Sequence, residues 1–261
     1  MELWLIGLWL STLIAGVAYW KQSLSRSGMV AAIILGTCLF TIEPFIFILM
    51  MAFFLSSSLL SKWVVRFRPI EDIIVRKGSR RDFTQVIANG GIPLIFGVLY
   101  YFNASNVFLL GIISAFAAAN ADTWASEIGS LSKTPPRFLF NQKETVMGLS
   151  GGVTTLGFVA SLFGSLWMVV FAFIMFKDLP MTYFGIALVS GFLGATIDSV
   201  IGELWQAKYQ SQIHPMLTEV RYVEHIENQL VNGYHWLDNN MVNFISILSA
   251  AVGSTILIGF F

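Results

Sequence analysis

Eight apolar runs at or near membrane-crossing length leave this chain few ways to fold. They fall at about 3–20, 28–42, 45–60, 86–102, 107–125, 147–176, 181–203 and 241–261, and a helix needs roughly 20 apolar residues to cross a bilayer. Inside hydrocarbon every backbone N–H and C=O must be satisfied within the segment itself, so each run is predicted as a helix. Charged residues make up 11% of the chain and hydrophobic ones 56%, where a soluble domain carries about 25% charged. The expected fold is an all-α polytopic membrane protein, a single integral-membrane domain over 1–261 with about eight transmembrane helices. The first run follows Glu2 and has no small-residue cleavage site, so it reads as a retained span and not a signal peptide. The lone Cys38 forms no intrachain disulfide. Fifteen basic residues balance fifteen acidic ones, which gives no overall attraction to nucleic acid.

The loops set the orientation. Fourteen of the fifteen Lys and Arg residues, among them Arg68, Arg76 and Lys77, fall after the first, third, fifth and seventh spans; Lys177 alone falls on the other side. By the positive-inside rule both termini lie outside and the long basic loops are cytoplasmic, in what reads as the plasma membrane of a bacterium. Trp4, Trp9, Trp20, Trp63 and Trp205 lie near span ends, as an aromatic belt requires.

Two pairs of acids stand where the bilayer makes them expensive. "NADTWASEIGS" carries Asp122 and Glu127, and "GATIDSVIGELWQ" carries Asp198 and Glu203 with the same spacing, 198 − 122 = 76 residues later. At about 1.5 Å per residue, Asp122 lies about 22 Å past Val107, and Asp198 about 26 Å past Met181. Both belong toward the cytoplasmic end of inward-running helices, as in a weak parallel internal repeat. Five residues on a straight helix turn about 500°, a net offset of about 140°, so Asp and Glu share a point only if the helix breaks, for instance at Gly129 or Gly202. Such acids either pair with loop cations or mark function, and two equivalent pairs at one depth favour function. Clustered carboxylates in low dielectric need a cation between them or must stay protonated. Hard oxygen ligands suit Mg²⁺, which takes one or two carboxylates plus substrate phosphates, so Asp122, Asp198, Glu127 and Glu203 are the candidate metal and catalytic set. A cation transporter would also use buried acids.

The neighbouring loops point to phosphate. Residues 130–154 supply Lys133, Arg137, Lys143 and the run Gly148-Leu-Ser150-Gly151-Gly152 ahead of a span. Glycines let backbone N–H groups approach an anion at a helix N-terminus, although they also serve close helix packing in membranes. The spacing is not that of a Walker A loop. A second basic segment holds Arg80 and Arg81 ahead of Asn89; it is either a plain positive-inside anchor or an anion site. Asp238 and Asn239 open the last span at the same level. His214, His225 and His235 have no ligand spacing and read as surface residues.

The stretches "NADTWASEIGSLSKTPPR", "VMGLSGG", "RRDFTQVIANGG" and "LDNNMVN" resemble, over roughly residues 20–255, the integral-membrane family that includes plant phytyl phosphate kinase and the animal transmembrane protein 19. The Asp-Thr-x-Ala-Ser core is similar, more distantly, to a segment of the CTP-using phytol and dolichol kinases and CDP-lipid synthases, with Asn120-Ala121 here where those often carry Gly. The resemblance implies phosphoryl transfer from a nucleoside triphosphate, CTP by that likeness, to a prenyl monophosphate in the membrane. On it, Asp122 and Asp198 bind Mg²⁺, with Glu127 and Glu203 as further ligands or support. Lys133, Arg137, Lys143, Gly148, Ser150, Gly151 and Gly152 hold the triphosphate. Arg80, Arg81 and Asn89 take the acceptor phosphate, with Asp238 and Asn239 closing the site. A CDP-lipid-type cytidylyltransferase and a transporter or flippase of lipid phosphates remain as alternatives.

Overall fold

The computed structural model describes residues 2–67, 80–212, 217–223 and 225–261; Arg68, Arg76, Lys77 and His214 lie outside the described residues. Among them are eight α-helices: α1 (Leu3–Trp20), α2 (Arg26–Ile42), α3 (Pro44–Val64), α4 (Phe83–Asn103), α5 (Asn106–Gly129), α6 (Thr155–Met175), α7 (Met181–Leu204) and α8 (Asn239–Leu257). Seven are long and apolar enough to cross a membrane, and α2 is shorter at 17 residues.

Helix starts follow local chemistry. Pro44 opens α3, where its missing N–H costs nothing, and Glu43 accepts from the Phe45 amide. Asp82 and Gln85 form a reciprocal capping box on α4. Ser25, Thr154 and Asp238 cap α2, α6 and α8 by accepting from Gly28, Gly157 and Met241 amides.

One expected span is shorter than its apolar run. Residues 147–153 do not join α6, because Gly148 and Gly151 adopt φ of 88° and 85°, which no right-handed helix uses. They form a loop that ends in β2 (Gly152–Val153), paired antiparallel with β1 (Arg137–Phe138). The loop between α7 and α8 also carries strands that apolar periodicity did not announce. There β3 (Lys208–Gln210) lies between β4 (Leu217–Thr218) and β7 (Gln229–Asn232), and β5 (Tyr222–Val223) pairs with β6 (Ile226–Glu227).

α5 is the central helix, with 72% of its most apolar window buried. Small residues allow this. A Cβ on Gly191 would sit 2.6 Å from Ala117 Cβ, one on Gly194 2.6 Å from Ala118 Cβ, and one on Gly164 3.0 Å from Ala121 Cα. Between helices in a membrane such close approach replaces hydrophobic driving force with van der Waals contact. Asn120, fully buried, bolts three helices together: it accepts from Ser56 Oγ of α3 at 2.9 Å and donates to the Gly164 carbonyl of α6 at 2.8 Å.

Candidate functional site

A cavity of about 720 Å³ opens at one end of the bundle. Its wall takes the C-terminal ends of α3, α5 and α7 and the N-terminal ends of α4, α6 and α8, together with parts of the loops at 136–154 and 206–222. Three helix N-termini, each with one N–H taken by its cap, point their positive dipole ends here. Yet α5 and α7 bring acids to the same space, so the cavity offers both anion donors and carboxylates.

Asp122 and Asp198, sixteen and seventeen residues after the first residues of their 24-residue helices (122 − 106 and 198 − 181), both face the cavity and feel each other's charge. Asp198 is held in place from α8. Ser246 Oγ donates to its Oδ2 at 3.0 Å, and the Asn243 amide, oriented to satisfy its neighbours, donates to the same oxygen at 2.9 Å and to the Asn239 carbonyl at 3.2 Å. A third carboxylate, Glu219 from the α7–α8 loop, interacts with Asp198 and accepts from the Ser150 amide of the glycine loop.

The two glutamates part ways. Glu127 lines the cavity, accepts from Ser61 Oγ at 2.8 Å and faces the charge of Arg81. Glu203 is buried away from it, accepts from the Phe140 amide at 3.1 Å, and neighbours Lys208. No helix break gathers the four acids: α5 runs unbroken to Gly129 and α7 continues past Gly202 to Leu204. Those glycines serve close contact instead. A Cβ on Gly129 would be 3.2 Å from Gly157 Cα, and one on Gly202 would be 2.8 Å from Gly151 N.

That Gly202–Gly151 approach seats the loop 148–152 directly on the end of α7, one turn beyond Asp198. Gly148, Ser150, Gly151 and Gly152 all line the cavity. Gln206 donates to Ser150 Oγ at 3.0 Å, while its own buried Oε1 has no partner among the described residues.

Arg81 also lines the cavity. Its backbone is fixed by two bonds to the α1–α2 turn, Ser25 N to Arg81 O at 2.9 Å and Arg81 N to Ser23 O at 3.1 Å. Gly28 makes this possible, since a Cβ there would meet Arg81 O at 2.2 Å. The guanidinium lies over Phe53 and Phe54, 5.6 and 5.5 Å from the ring centres. Burial pulls it down to about 10, against the pull of Glu127, so it is charged at neutral pH. Asn89 lies nearly two turns into α4, where Pro93 has no N–H to give its carbonyl.

The structure separates other residues of the expected set. Arg80 is exposed and lies over Tyr19. Lys133, Arg137 and Lys143 are exposed and outside the cavity wall; Arg137 pairs with Glu144 at 2.7 Å. Asp238 and Asn239 line the rim, and Asn239 Oδ1 accepts from Ser150 Oγ at 3.4 Å. His235 is exposed, but it borders the cavity and its Nδ1 lies 3.2 Å from the Tyr209 hydroxyl. Sequence reasoning missed Glu219, Gln206, Ser246 and Tyr209; Asn243, four residues after Asn239, carried the one available signal, a helix-spaced amide.

Among the described residues no three His, Cys, Asp or Glu side chains form a ready-made metal cage. Mg²⁺ asks for less: one or two carboxylates, with waters and substrate phosphates completing the octahedron. Asp122 and the oriented Asp198 fit that demand.

Comparison with known proteins gives relatives along most of the chain. It is 30% identical to "Protein PGR" of Arabidopsis thaliana, over 92% of this chain and 90% of that one. It is 31% identical to "Uncharacterized membrane protein MJ0933" of Methanocaldococcus jannaschii, over 72% and 77%. It is 23% identical to "Protein VTE6, chloroplastic" of Arabidopsis thaliana, over 86% of this chain and 62% of that protein. No solved structure matches. The family described as "Integral membrane protein DUF92" matches residues 9–251, the span that contains every described residue lining the cavity, and the chain belongs to that family.

Proposed function

We propose that this protein is a membrane-embedded nucleotide-dependent kinase that converts a prenyl monophosphate to the diphosphate, using Mg²⁺ and CTP at the cytoplasmic face of the membrane. One observation carries the reading: the cavity at the bundle end joins the Asp122–Asp198 pair, a glycine loop and the Arg81 guanidinium in one space. Transporter sites lie near the bilayer midplane, whereas these groups gather at one end. The resemblance to the family that includes plant phytyl phosphate kinase supports the same chemistry.

Phosphoryl transfer asks mainly for positioning and charge neutralisation. The triphosphate lies against the loop 148–152 and the positive end of α6, and Arg81 with Asn89 holds the acceptor phosphate. Asp122 and Asp198 would hold Mg²⁺, which would supply charge neutralisation at the transferring group. An acceptor oxygen attacks the γ-phosphorus, the bond to the β–γ bridging oxygen breaks, and the nucleoside diphosphate leaves. Phosphate monoesters lose their second proton near pH 6, so the nucleophile is already ionised and no general base is required. Lys133, Arg137 and Lys143 lie too far out for direct contact in this arrangement and act on the approach of the nucleotide through long-range attraction.

The test uses purified protein in nanodiscs with Mg²⁺, a prenyl monophosphate, and CTP labelled at either the α- or the γ-phosphorus. Transfer of γ-label alone to lipid is expected. Transfer of α-label to lipid would make the protein a cytidylyltransferase, and lipid phosphate crossing the bilayer without label transfer would make it a transporter.

A further inference from the structure

Beside the polar cavity lies a second, narrow groove with about 60 Å³ of open space, between α1, α2, α3, α4 and the middle of α5. Its walls are apolar: Ala32 and Leu35 of α2, Phe47, Met50 and Phe54 of α3, and Phe116 of α5. The two spaces meet at Arg81, Gln85 and Asn89, which line both. Apart from Ser11, these are the groove's only polar residues among the described residues, and they stand where it meets the cavity.

We infer that this groove is the seat for the apolar tail of a single-chain lipid monophosphate whose head sits at Arg81 and Asn89. The joint placement selects the ligand. A free nucleotide has no use for the apolar track, and a neutral lipid has none for a cation at its mouth. An amphiphile with an anionic head satisfies both, and burial of its tail contributes about 0.8 kcal/mol per methylene. From Phe54 to Phe47 the groove follows seven residues of α3, about 10 Å of helix, so a longer tail runs on into the bilayer. The narrow bore admits one chain. Met50 and Met51, unbranched and adaptable, let it widen. Gly90 of α4 presses on Leu35, where a Cβ would lie 2.6 Å from Leu35 Cδ1, so the groove is closed between α2 and α4 at that level.

The assignment of the head rests on the kinase reading; the tail seat is tested without it. Protein in nanodiscs is incubated with a monophosphate whose single tail ends in a diazirine, irradiated, digested and mapped by mass spectrometry. Label is expected on residues 29–36 and 47–54. Ala32→Phe, which fills the groove, should lower that labelling about tenfold, the loss of roughly two buried methylene groups. Ile34→Phe, on the exposed face of the same helix, should leave it unchanged and controls for folding. Label confined to α6–α8, equal labelling by the alcohol lacking phosphate, or equal competition by two-chain phosphatidic acid would each overturn the inference. Groove labelling in a protein that transfers no phosphoryl group would retain the tail seat and reject the kinase. Transfer with no groove labelling would do the reverse.

Discussion

Gly151→Ala should detach the glycine loop from α7 and abolish nucleotide binding. Two costs add. Gly151 has φ +85°, and a left-handed conformation costs a non-glycine residue about 1–2 kcal/mol. An added Cβ would also lie 2.3 Å from Glu203 N, 2.5 Å from Glu203 Cα and 2.8 Å from Gly202 C. These are backbone atoms of a helix, so no side-chain rotation relieves the clash, and forced overpacking costs about 1–3 kcal/mol. The sum, about 2–5 kcal/mol, is the cost of keeping loop 148–152 against α7 once alanine is there. Gly185→Ala is the matched control. It lies on the same helix with nothing within 4 Å of the added Cβ, and replacing a mid-helix Gly stabilises by about 0.8–1 kcal/mol. Thermal unfolding in one detergent should therefore move in opposite directions for the two variants. Fluorescent CTP-analogue binding should be lost only for Gly151→Ala. A Gly151→Ala protein that melts and binds like the wild type would refute the idea that this contact builds the site.

Asp122→Asn and Asp198→Asn should each insert normally yet lower Mg²⁺-dependent label transfer by orders of magnitude, because charge at the transfer site is lost while the hydrogen bonds of Ser246 and Asn243 to residue 198 can re-form; wild-type turnover would remove these acids from the chemistry. Arg137→Ala should cost about 0–1 kcal/mol of stability, as for other exposed ion pairs, and should raise the nucleotide KM only at low salt; a KM effect that persists at high salt would put Arg137 in direct contact. Burial, opposed by Glu219 and Glu203, lowers Lys208 below its usual 10.5. The unfolded chain then binds more protons than the folded one between the depressed value and 10.5, so stability rises with pH through that window. Lys208→Met should flatten this rise in detergent melts. Finally, in a Cys38→Ser background, a cysteine at Ser132 should be shielded from an impermeant thiol reagent in intact cells and one at Ala104 should react; the opposite pattern would invert the topology.

The helices and the acids' depth were legible because they depend on local rules. Apolar length fixes a span, and counting 1.5 Å steps from Val107 and Met181 puts Asp122 and Asp198 near the same end. The resemblance likewise rested on short contiguous stretches. Three things required the folded chain. Periodicity ran the sixth span back to 147, since Met147, Leu149 and Val153 are apolar, whereas Gly151, at positive φ, meets the end of α7 across some fifty residues of sequence. The constant Asp-x4-Glu spacing concealed two environments, because a 140° offset turns Glu127 toward Arg81 and Glu203 toward Phe140 and Lys208. Charge in a loop says nothing about its direction. Arg137 and Lys143 belong to a turn facing outward, while Glu219 reaches the Ser150 amide, 219 − 150 = 69 residues away, from a loop whose path is set by strand pairing. A membrane segment carries its own instructions because its solvent is uniform along its length; a loop above it takes its shape from whichever distant backbone comes close.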